Sequence, residues 1–185
     1  PGMPEQTYPE RIWHNGAIKP WREATVHVMA HALHYGSSVF EGIRSYRTPG
    51  GTIIFRLADH LKRLFNSAKI YDIAIPYTRE QLASACREVM QANALAQAYL
   101  RPLVFRGLGG FGLSADTPTE VAIAAWPMGP YLGPEALENG ITACVSSWQR
   151  FAPNTSPAGA KAGGNYLSGQ LIAREARRLG FGEGI

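Results

Sequence analysis

Cysteine is scarce in this chain of 185 residues, which contains only Cys86 and Cys144. Two cysteines are too few for the disulfide framework of a small secreted domain, and such scarcity is typical of a reducing compartment. No apolar run reaches the length of about 18 residues that a membrane-spanning helix needs, and no signal-peptide pattern is seen. We therefore expect a cytoplasmic protein that does not bind membranes.

Runs of like charge are also lacking. Lysine and arginine are scattered along the chain, and their small excess gives a formal net charge of +4. No basic run is interleaved with aromatic residues, as a nucleic-acid-binding surface would require. The composition argues against disorder, because 45% of the residues are apolar and 17% are charged. We expect a folded protein that binds a small anionic molecule, with one domain or one domain and part of another.

Several strands are predicted in the first part of the chain. An Asn-Gly pair supplies the positive backbone angles of a tight turn, so residues 12–18 predict a hairpin. Residues 38–46 predict a strand in which Phe40 and Arg44 share one face. The opposite face of that strand carries Val39, Glu41, Ile43 and Ser45. Further strands are predicted over residues 52–57, 98–106 and 121–126.

Two amphipathic helices are predicted between these strands. One begins at Asp59, a good N-cap residue, and extends to Tyr71. The other begins at Thr78, where Gln81 three residues later completes a capping box. Strands and helices together indicate an α+β domain over residues 1–126.

The rest of the chain predicts much less structure. Residues 127–137 contain a stretch rich in proline and glycine and predict an interdomain linker. Residues 138–185 predict one strand over 141–148 and one helix over 165–179, which Gly180 ends. One strand and one helix cannot close a core. We therefore expect the chain to stop inside an incomplete second domain.

Two motifs suggest binding functions that their context does not support. His27, His31 and His34 have helical spacing and could hold zinc. A Gly-Ser-Ser sequence interrupts any helix there and no carboxylate lies near, so packing or hydrogen bonding is the better interpretation, and we expect no metal. Residues 107–112 match the G-x-G-x-x-G dinucleotide fingerprint, but no helix opens after them. A flexible loop is therefore favoured over a nucleotide site.

One lysine stands among unusually small residues, in the run AKAGGNYLS at residues 160–168. A lysine that loses water drops in pKa and becomes an amine nucleophile that can form a Schiff base. The two glycines after Lys161 would leave room for a flat ligand. The alternative is a solvated lysine in a glycine-rich turn, which the local sequence alone favours.

Longer motifs favour the chemical interpretation. Together with HALHYGSSVFEGIR at residues 31–44 and shorter matches at 67–71, 99–102 and 145–148, the lysine run resembles the class IV, pyridoxal-phosphate-dependent aminotransferases. The resemblance is strongest to the branched-chain amino acid aminotransferases. It implies a small N-terminal α/β sandwich domain and the start of a larger, mixed α/β pseudo-barrel domain. It also implies transamination between leucine, isoleucine or valine and 2-oxoglutarate, by a homodimer or higher homo-oligomer.

The same resemblance assigns the contacts to pyridoxal 5′-phosphate. Lys161 would carry the cofactor and, once displaced by an amino acid, would move a proton between the substrate and the cofactor. Tyr166 would hydrogen-bond the phenolic oxygen of the cofactor. Arg63 would bind the phosphate group with its planar guanidinium, although helical periodicity predicts a solvent-facing side chain. Both statements hold if the polar face of that helix lines the cleft between the domains.

The substrate-binding residues implied by the resemblance are Tyr35, Phe40, Arg44, Tyr99, Arg101, Leu113 and Tyr131. Tyr35 and Leu113 would reach the active site of the neighbouring subunit. Arg101, together with Tyr35, would take the side-chain carboxylate of glutamate. Without the resemblance, the aromatic residues would be interpreted as packing and Arg101 as part of a structural salt bridge. Met128 departs from the family, which often has an aromatic residue there.

Other functions stay open at this point. A D-amino acid aminotransferase or an aminodeoxychorismate lyase would share Lys161 and Arg63, but the FEGIR run at residues 40–44 favours the branched-chain group. A non-catalytic binding module is the remaining alternative. In the family, the acidic partner of the pyridine nitrogen comes after the segment that matches Ile185. We therefore expect the 185-residue chain alone to be inactive, and the sequence leaves open which branched-chain amino acid is preferred.

Overall fold

A seven-stranded sheet dominates the computed structural model, which describes residues 8–129 and 133–185. Every strand pair in this sheet is antiparallel. The strands in chain order are β1 (Arg11–His14), β2 (Ala17–Pro20), β3 (Ser38–Phe40), β4 (Ile43–Thr48), β5 (Gly51–Ile54), β6 (Ala98–Arg106) and β7 (Thr119–Trp126). The spatial order is β2-β1-β7-β6-β4-β5, with β3 pairing to β6 beside β4. The long β6–β7 pair therefore forms the centre of the sheet.

The glycine-containing turn and loop of the first domain agree with the predictions. Asn15 and Gly16 have φ angles of 50° and 94° between β1 and β2, as a tight turn requires. Residues 107–118 form the loop between β6 and β7 and contain no helix, so the dinucleotide motif lacks the helix that would bind a phosphate.

The predicted strand over residues 38–46 is interrupted in the middle. β3 ends at Phe40 and β4 begins at Ile43, yet both pair with β6 in a single register. The Glu41 N–H donates to the carbonyl oxygen of Pro102. Because proline has no N–H, the second hydrogen bond of this residue pair, to the Glu41 carbonyl, cannot form. Because the register is unbroken, the predicted alternation of faces survives, and Val39, Glu41, Ile43 and Ser45 are all buried.

Two long helices cover one face of the sheet, α2 (Leu57–Ile70) and α3 (Arg79–Ala92), after the short α1 (His31–Tyr35). Their apolar residues form one core with the sheet: Leu61, Leu64, Leu82, Val89, Leu100, Val104, Val121 and Ile123. The capping box of α3 at Thr78 and Gln81 is confirmed.

The predicted start of α2 is wrong. The helix begins at Leu57, directly after Arg56, which has a left-handed backbone with φ of 48°. Asp59 lies inside the first turn and accepts a hydrogen bond from Arg56 Nε at 2.8 Å instead of capping the helix. The strand predicted over residues 52–57 correspondingly ends at Ile54.

Beyond β7 the chain forms a smaller group of elements. These are α4 (Pro134–Asn139), β8 (Ala143–Cys144), α5 (Leu167–Arg178) and β9 (Glu183–Gly184), with β8 and β9 parallel. The strand predicted over residues 141–148 is therefore reduced to two residues, and the last residues of the predicted linker are helical. The helix predicted over residues 165–179 is confirmed as α5, although a 3-10 turn over Gly163–Tyr166 precedes it. The division into domains at residues 126 and 138 stays a prediction.

None of the helices in the two described ranges has the length and apolar character needed to cross a bilayer.

Candidate functional site

The backbone of Lys161 is fixed between the sheet and α2. The Phe40 N–H donates to the Lys161 carbonyl at 3.0 Å, and an isolated antiparallel bridge joins Val39 to Ala162. On the other side, the Lys161 N–H donates to the hydroxyl oxygen of Ser67 at 3.0 Å, and Ser67 is fully buried in α2. The segment that carries the lysine therefore adds to the end of β3 and is held at both of its hydrogen-bonding groups.

The Lys161 side chain lies between two aromatic rings. Its amine donates to the hydroxyl of Tyr166 at 2.5 Å. The amine is also 4.7 Å from the centre of the Phe40 ring, and the rings of Phe40 and Tyr166 are 5.0 Å apart. A solvated loop lysine would have neither contact, so the side chain has a defined environment of one hydroxyl and two π faces.

The glycines after the lysine allow close packing of the backbone. A Cβ atom on Gly163 would overlap the hydroxyl of Ser38. Gly36 has a left-handed φ of 66°, and a Cβ atom there would come within 3.2 Å of the Gly164 Cα atom. Gly163 therefore lets the lysine segment approach β3, and the predicted room for a flat ligand stays a prediction.

Arg63 forms a bidentate ion pair with a buried carboxylate. Its Nε and Nη2 atoms donate to the two oxygens of Glu41 at 2.5 and 2.6 Å. Glu41 is fully buried and also contacts His60 Nδ1 at 2.9 Å. Burial alone would raise the pKa of the Glu41 carboxyl, but the hydrogen bonds with Arg63 and His60 outweigh it and hold the pKa below its ordinary value.

The outer part of the Arg63 side chain faces solvent. The side chain is 52% exposed, although it is tied to a group with no exposure at all. The hydrogen bond with Glu41 raises the pKa of the Arg63 guanidinium, which therefore stays charged. The solvent-facing side chain predicted from helical periodicity is thus seen for half of Arg63, while one edge of its guanidinium pairs inward with Glu41. Its binding of the phosphate group stays a prediction.

Arg101 has an incompletely satisfied guanidinium beside the lysine. Its Nη2 atom donates to the Tyr99 hydroxyl at 2.9 Å, and its central carbon is 4.6 Å from the centre of the Phe40 ring. Its Nε atom is buried and has no hydrogen-bond partner among the described residues. Phe40 therefore contacts two cations, Arg101 and Lys161. A buried N–H group that lacks a hydrogen-bond partner can donate to an anionic group of a ligand.

Arg44 points to the segment after β7. Its Nη2 atom donates to the carbonyl oxygens of Met128 and Gly129 at 2.9 and 3.2 Å. Tyr131, the other predicted substrate residue of this region, lies outside the described residues. Arg44 thus holds the start of that segment on the same face of the sheet as Phe40.

Tyr35 and Leu113 lie on one cavity, which residues of the lysine run, Ala162 and Gly164, also border. The Tyr35 ring is 4.5 Å from His31 and 5.5 Å from Phe111, in the loop that also carries Leu113. The volume of this cavity is about 340 Å³. Leu113 is 83% exposed, so its side chain projects away from its own chain.

The histidines near this loop serve hydrogen bonding, as expected. His31 bonds the Ser37 hydroxyl at 2.7 Å and the Gly112 carbonyl at 2.9 Å, and His34 bonds the Val28 carbonyl at 2.9 Å. In the described ranges, no group of three or more candidate ligands is placed to hold a metal ion.

A family model described as amino-transferase class IV matches residues 38–185. The chain belongs to the class IV aminotransferases. The predicted resemblance is thereby confirmed at the family level. The site described above lies largely within the matched range.

Class IV relatives with curated names agree with this assignment. The branched-chain-amino-acid aminotransferase of Escherichia coli (strain K12) is 55% identical over 176 residues. The protein of the same name from Pseudomonas aeruginosa is 46% identical over 175 residues. Each match covers 94% of this chain and 57% of the relative. The chain therefore spans little more than half the length of these relatives.

Solved structures of class IV enzymes confirm the predicted fold class. The crystal structure of the E. coli branched-chain amino acid aminotransferase has a TM-score of 0.94 at 54% identity, over 96% of this chain and 59% of that one. The enzyme of the same name from Thermobaculum terrenum, in its PLP-form, has a TM-score of 0.82 at 32% identity, over 97% of this chain and 59% of that one. This class IV chain thus has the fold of the N-terminal part of those enzymes.

Sequence reasoning missed two residues of this class IV site. Ser67 holds the lysine backbone, and Glu41 holds Arg63. Ser67 begins the family match at residues 67–71, but that match gave it no role, since a serine inside a helix is common. A signal did exist for Glu41, because alternation placed an acidic residue on the core face of its strand, and a buried carboxylate requires a cationic partner.

Proposed function

We propose that this chain carries the reactive lysine of a pyridoxal-phosphate-dependent aminotransferase, which exchanges the amino group between L-leucine, L-isoleucine or L-valine and 2-oxoglutarate. One observation carries the proposal. The Lys161 amine is held against the Tyr166 hydroxyl between two rings, on a backbone fixed at both its N–H and its carbonyl. The names of the E. coli and P. aeruginosa relatives support branched-chain amino acids as the amino donors.

The residues around Lys161 fit pyridoxal 5′-phosphate. Lys161 supplies a primary amine for the aldehyde carbon, and Tyr166 supplies a hydroxyl beside that amine. The outer N–H groups of Arg63 are suited to a phosphate group. The T. terrenum structure in its PLP-form supports this choice of cofactor. When bound, the cofactor supplies an electron sink for the bond broken at the substrate α-carbon.

The side chains of this chain then have separate tasks. The Lys161 amine, once displaced by the amino acid, would move a proton between the substrate α-carbon and the cofactor. The Tyr166 hydroxyl orients that amine through their hydrogen bond. The rings of Phe40 and Tyr166 keep water from one side of the amine. Arg63 keeps its charge throughout, because the pKa of its guanidinium is raised.

We assign the substrate side chain to the region around Phe40 and Arg101. The apolar ring of Phe40 suits a branched aliphatic side chain. The buried Nε atom of Arg101, which has no partner in the described part of the chain, suits the side-chain carboxylate of glutamate. Tyr99 orients Arg101 through its hydroxyl. Arg44 acts less directly, by holding the segment that leads to Tyr131.

We propose that two copies of the chain associate through the surface around α1 and the β6–β7 loop. Large apolar side chains are exposed there: Val28, Met29, Leu33, Phe111 and Leu113. Such a patch on a protein surface marks an interaction site. Tyr35 and Leu113 border this surface, and they would complete the site of the second copy. We propose that the 185-residue chain alone is inactive, because it covers only 57% of its E. coli relative. We also propose a cytoplasmic location, because its two cysteines are free.

Covalent trapping tests the proposal directly. The protein is incubated with pyridoxal 5′-phosphate, reduced with borohydride to make the lysine-cofactor bond permanent, and digested for peptide mass analysis. The added mass should appear on Lys161 and disappear in Lys161→Ala. Lys62→Ala is the matched control, since Lys62 is exposed on α2 and should leave the labelling unchanged. Equal labelling of all lysines, or labelling that survives Lys161→Ala, would reject the assignment.

Turnover tests the substrate class. A version extended to the length of the relatives should aminate 2-oxoglutarate with L-leucine and leave D-alanine unused, with the chirality of the product determined. Preference for D-alanine would instead support a D-amino acid aminotransferase.

A further inference from the structure

We propose that Glu41 is the positioning residue of the phosphate site, which fixes the side chain of Arg63 so that its outer edge receives the phosphate group of the cofactor. This inference rests on the proposed function. It concerns the geometry of recognition, because Glu41 itself is fully buried and would not touch the ligand.

The hydrogen bonds divide the guanidinium of Arg63 into two edges. Nε and Nη2 form the edge that faces Glu41, at 2.5 and 2.6 Å. This edge uses one N–H from each nitrogen. Of the remaining three N–H groups, one on Nη1 and one on Nη2 form the adjacent, end-on edge of the guanidinium, and the side chain is 52% exposed. That second edge has the fork geometry that binds two oxygens of a phosphate at once.

Glu41 is itself rigidly held. Its N–H donates to Pro102 at 2.9 Å, its neighbour Phe40 donates to Lys161, and its carboxylate has a further contact with His60 at 2.9 Å. The orientation of Arg63 is therefore set by β-sheet backbone rather than by the long arginine side chain alone. Since an unrestrained arginine loses side-chain entropy when it binds a ligand, a restrained one binds more tightly.

The same residue links the phosphate site to the lysine. Phe40 donates to the Lys161 carbonyl, and Glu41 follows it in the chain. One short segment thus fixes the lysine through Phe40 and the arginine through Glu41. The spacing between the two cofactor contacts is then a property of the sheet.

The test compares two ligands that differ only in phosphate. Binding of pyridoxal 5′-phosphate and of pyridoxal is measured by absorption for the wild type, for Glu41→Gln and for Asp59→Asn. Asp59→Asn is the matched control, because Asp59 lies on the same helix as Arg63 and pairs with Arg56 in a solvent-exposed salt bridge. Glu41→Gln should weaken binding of the phosphate form roughly tenfold, the loss expected from misplacing a charge-assisted hydrogen bond, and should change pyridoxal binding less than about twofold. Asp59→Asn should change neither.

Two results would overturn the inference. Equal weakening of both ligands would show that Glu41 has only a structural role, and unchanged binding of both would show that Arg63 needs no support. If Glu41→Gln does not fold, Glu41→Asp decides the question. It keeps the buried negative charge but withdraws the carboxylate by one methylene, so it should lower the preference for the phosphate form. An unaltered preference in Glu41→Asp would equally overturn the inference.

Failure of the proposed function gives a different result. A wild type that binds pyridoxal 5′-phosphate no better than pyridoxal has no phosphate site, and the proposed function falls. A wild type that prefers the phosphate form by the same factor as Glu41→Gln keeps the proposed function and loses only the role of Glu41.

Discussion

Replacement of Ser67 with alanine should loosen the lysine segment by a predictable amount. The Ser67 hydroxyl accepts the N–H of Lys161 at 3.0 Å and is fully buried in α2. Alanine removes the acceptor, so the N–H of Lys161 loses its hydrogen-bond partner. An unpaired buried donor costs about 1–3 kcal/mol. Lys161 is only partly buried, so we expect a loss of about 1–2 kcal/mol.

Chemical denaturation measures this loss as the change in the free energy of unfolding. In thermal unfolding the same loss should lower the midpoint by roughly 2–8 °C, at about 2–4 °C per kcal/mol for a chain of this size. Ser84→Ala is the matched control, because its hydroxyl is exposed on α3 and donates to the nearby Glu88 carboxylate. Its effect should stay within about 0.5 kcal/mol. If Ser67→Ala destabilises no more than Ser84→Ala, then Ser67 does not anchor the lysine backbone.

Three further predictions concern packing and ionisation. In Gly42→Ala the new Cβ atom would overlap the Tyr99 hydroxyl, so the free energy of unfolding should fall by about 1–3 kcal/mol. In Gly169→Ala the Cβ atom would lie in open space on α5, so the free energy of unfolding should rise by about 0.5–1 kcal/mol. Equal effects of the two variants in chemical denaturation would contradict the packing at Gly42. Burial raises the pKa of Cys86 to about 12, so iodoacetamide at pH 8 should modify it only after denaturation, and rapid labelling of the folded chain at Cys86 would contradict this. The pKa of Glu41 is below its ordinary value of 4.5, so its stabilising contribution is present above that pH and is lost as the pH falls through the folded-state pKa. Acid titration of unfolding should therefore be flatter in Glu41→Gln, and an unchanged slope would refute the effect.

Local signals in the sequence predicted local structure well. The hairpin turn at Asn15 and Gly16 and the capping box at Thr78 are each complete within a few residues, and both are confirmed. The start of α2 was missed because Asp59 looks like an N-cap by type. A left-handed Arg56, which the sequence does not mark, begins the helix earlier.

The sequence could not predict the contacts between segments that are distant along the chain. Periodicity placed Arg63 toward solvent, and half of its side chain is indeed exposed, but its other edge pairs with Glu41, 22 residues earlier. The bond from Lys161 to Ser67 spans 94 residues. Neither pairing follows from spacing along the chain, because each depends on how β3 and α2 pack. The resemblance supplied the residue types of the site, and the fold supplied the residues that support them.

The same pairing decides where the lysine nitrogen can travel. The Lys161 carbonyl accepts from the Phe40 N–H, and the Lys161 N–H donates to the Ser67 hydroxyl, so these two hydrogen bonds hold the backbone of the lysine in place. All movement of the amine must come from rotation about its own flexible four-carbon stem. Any molecule that the nitrogen attacks therefore has to bind within reach of this side chain, near the Tyr166 hydroxyl.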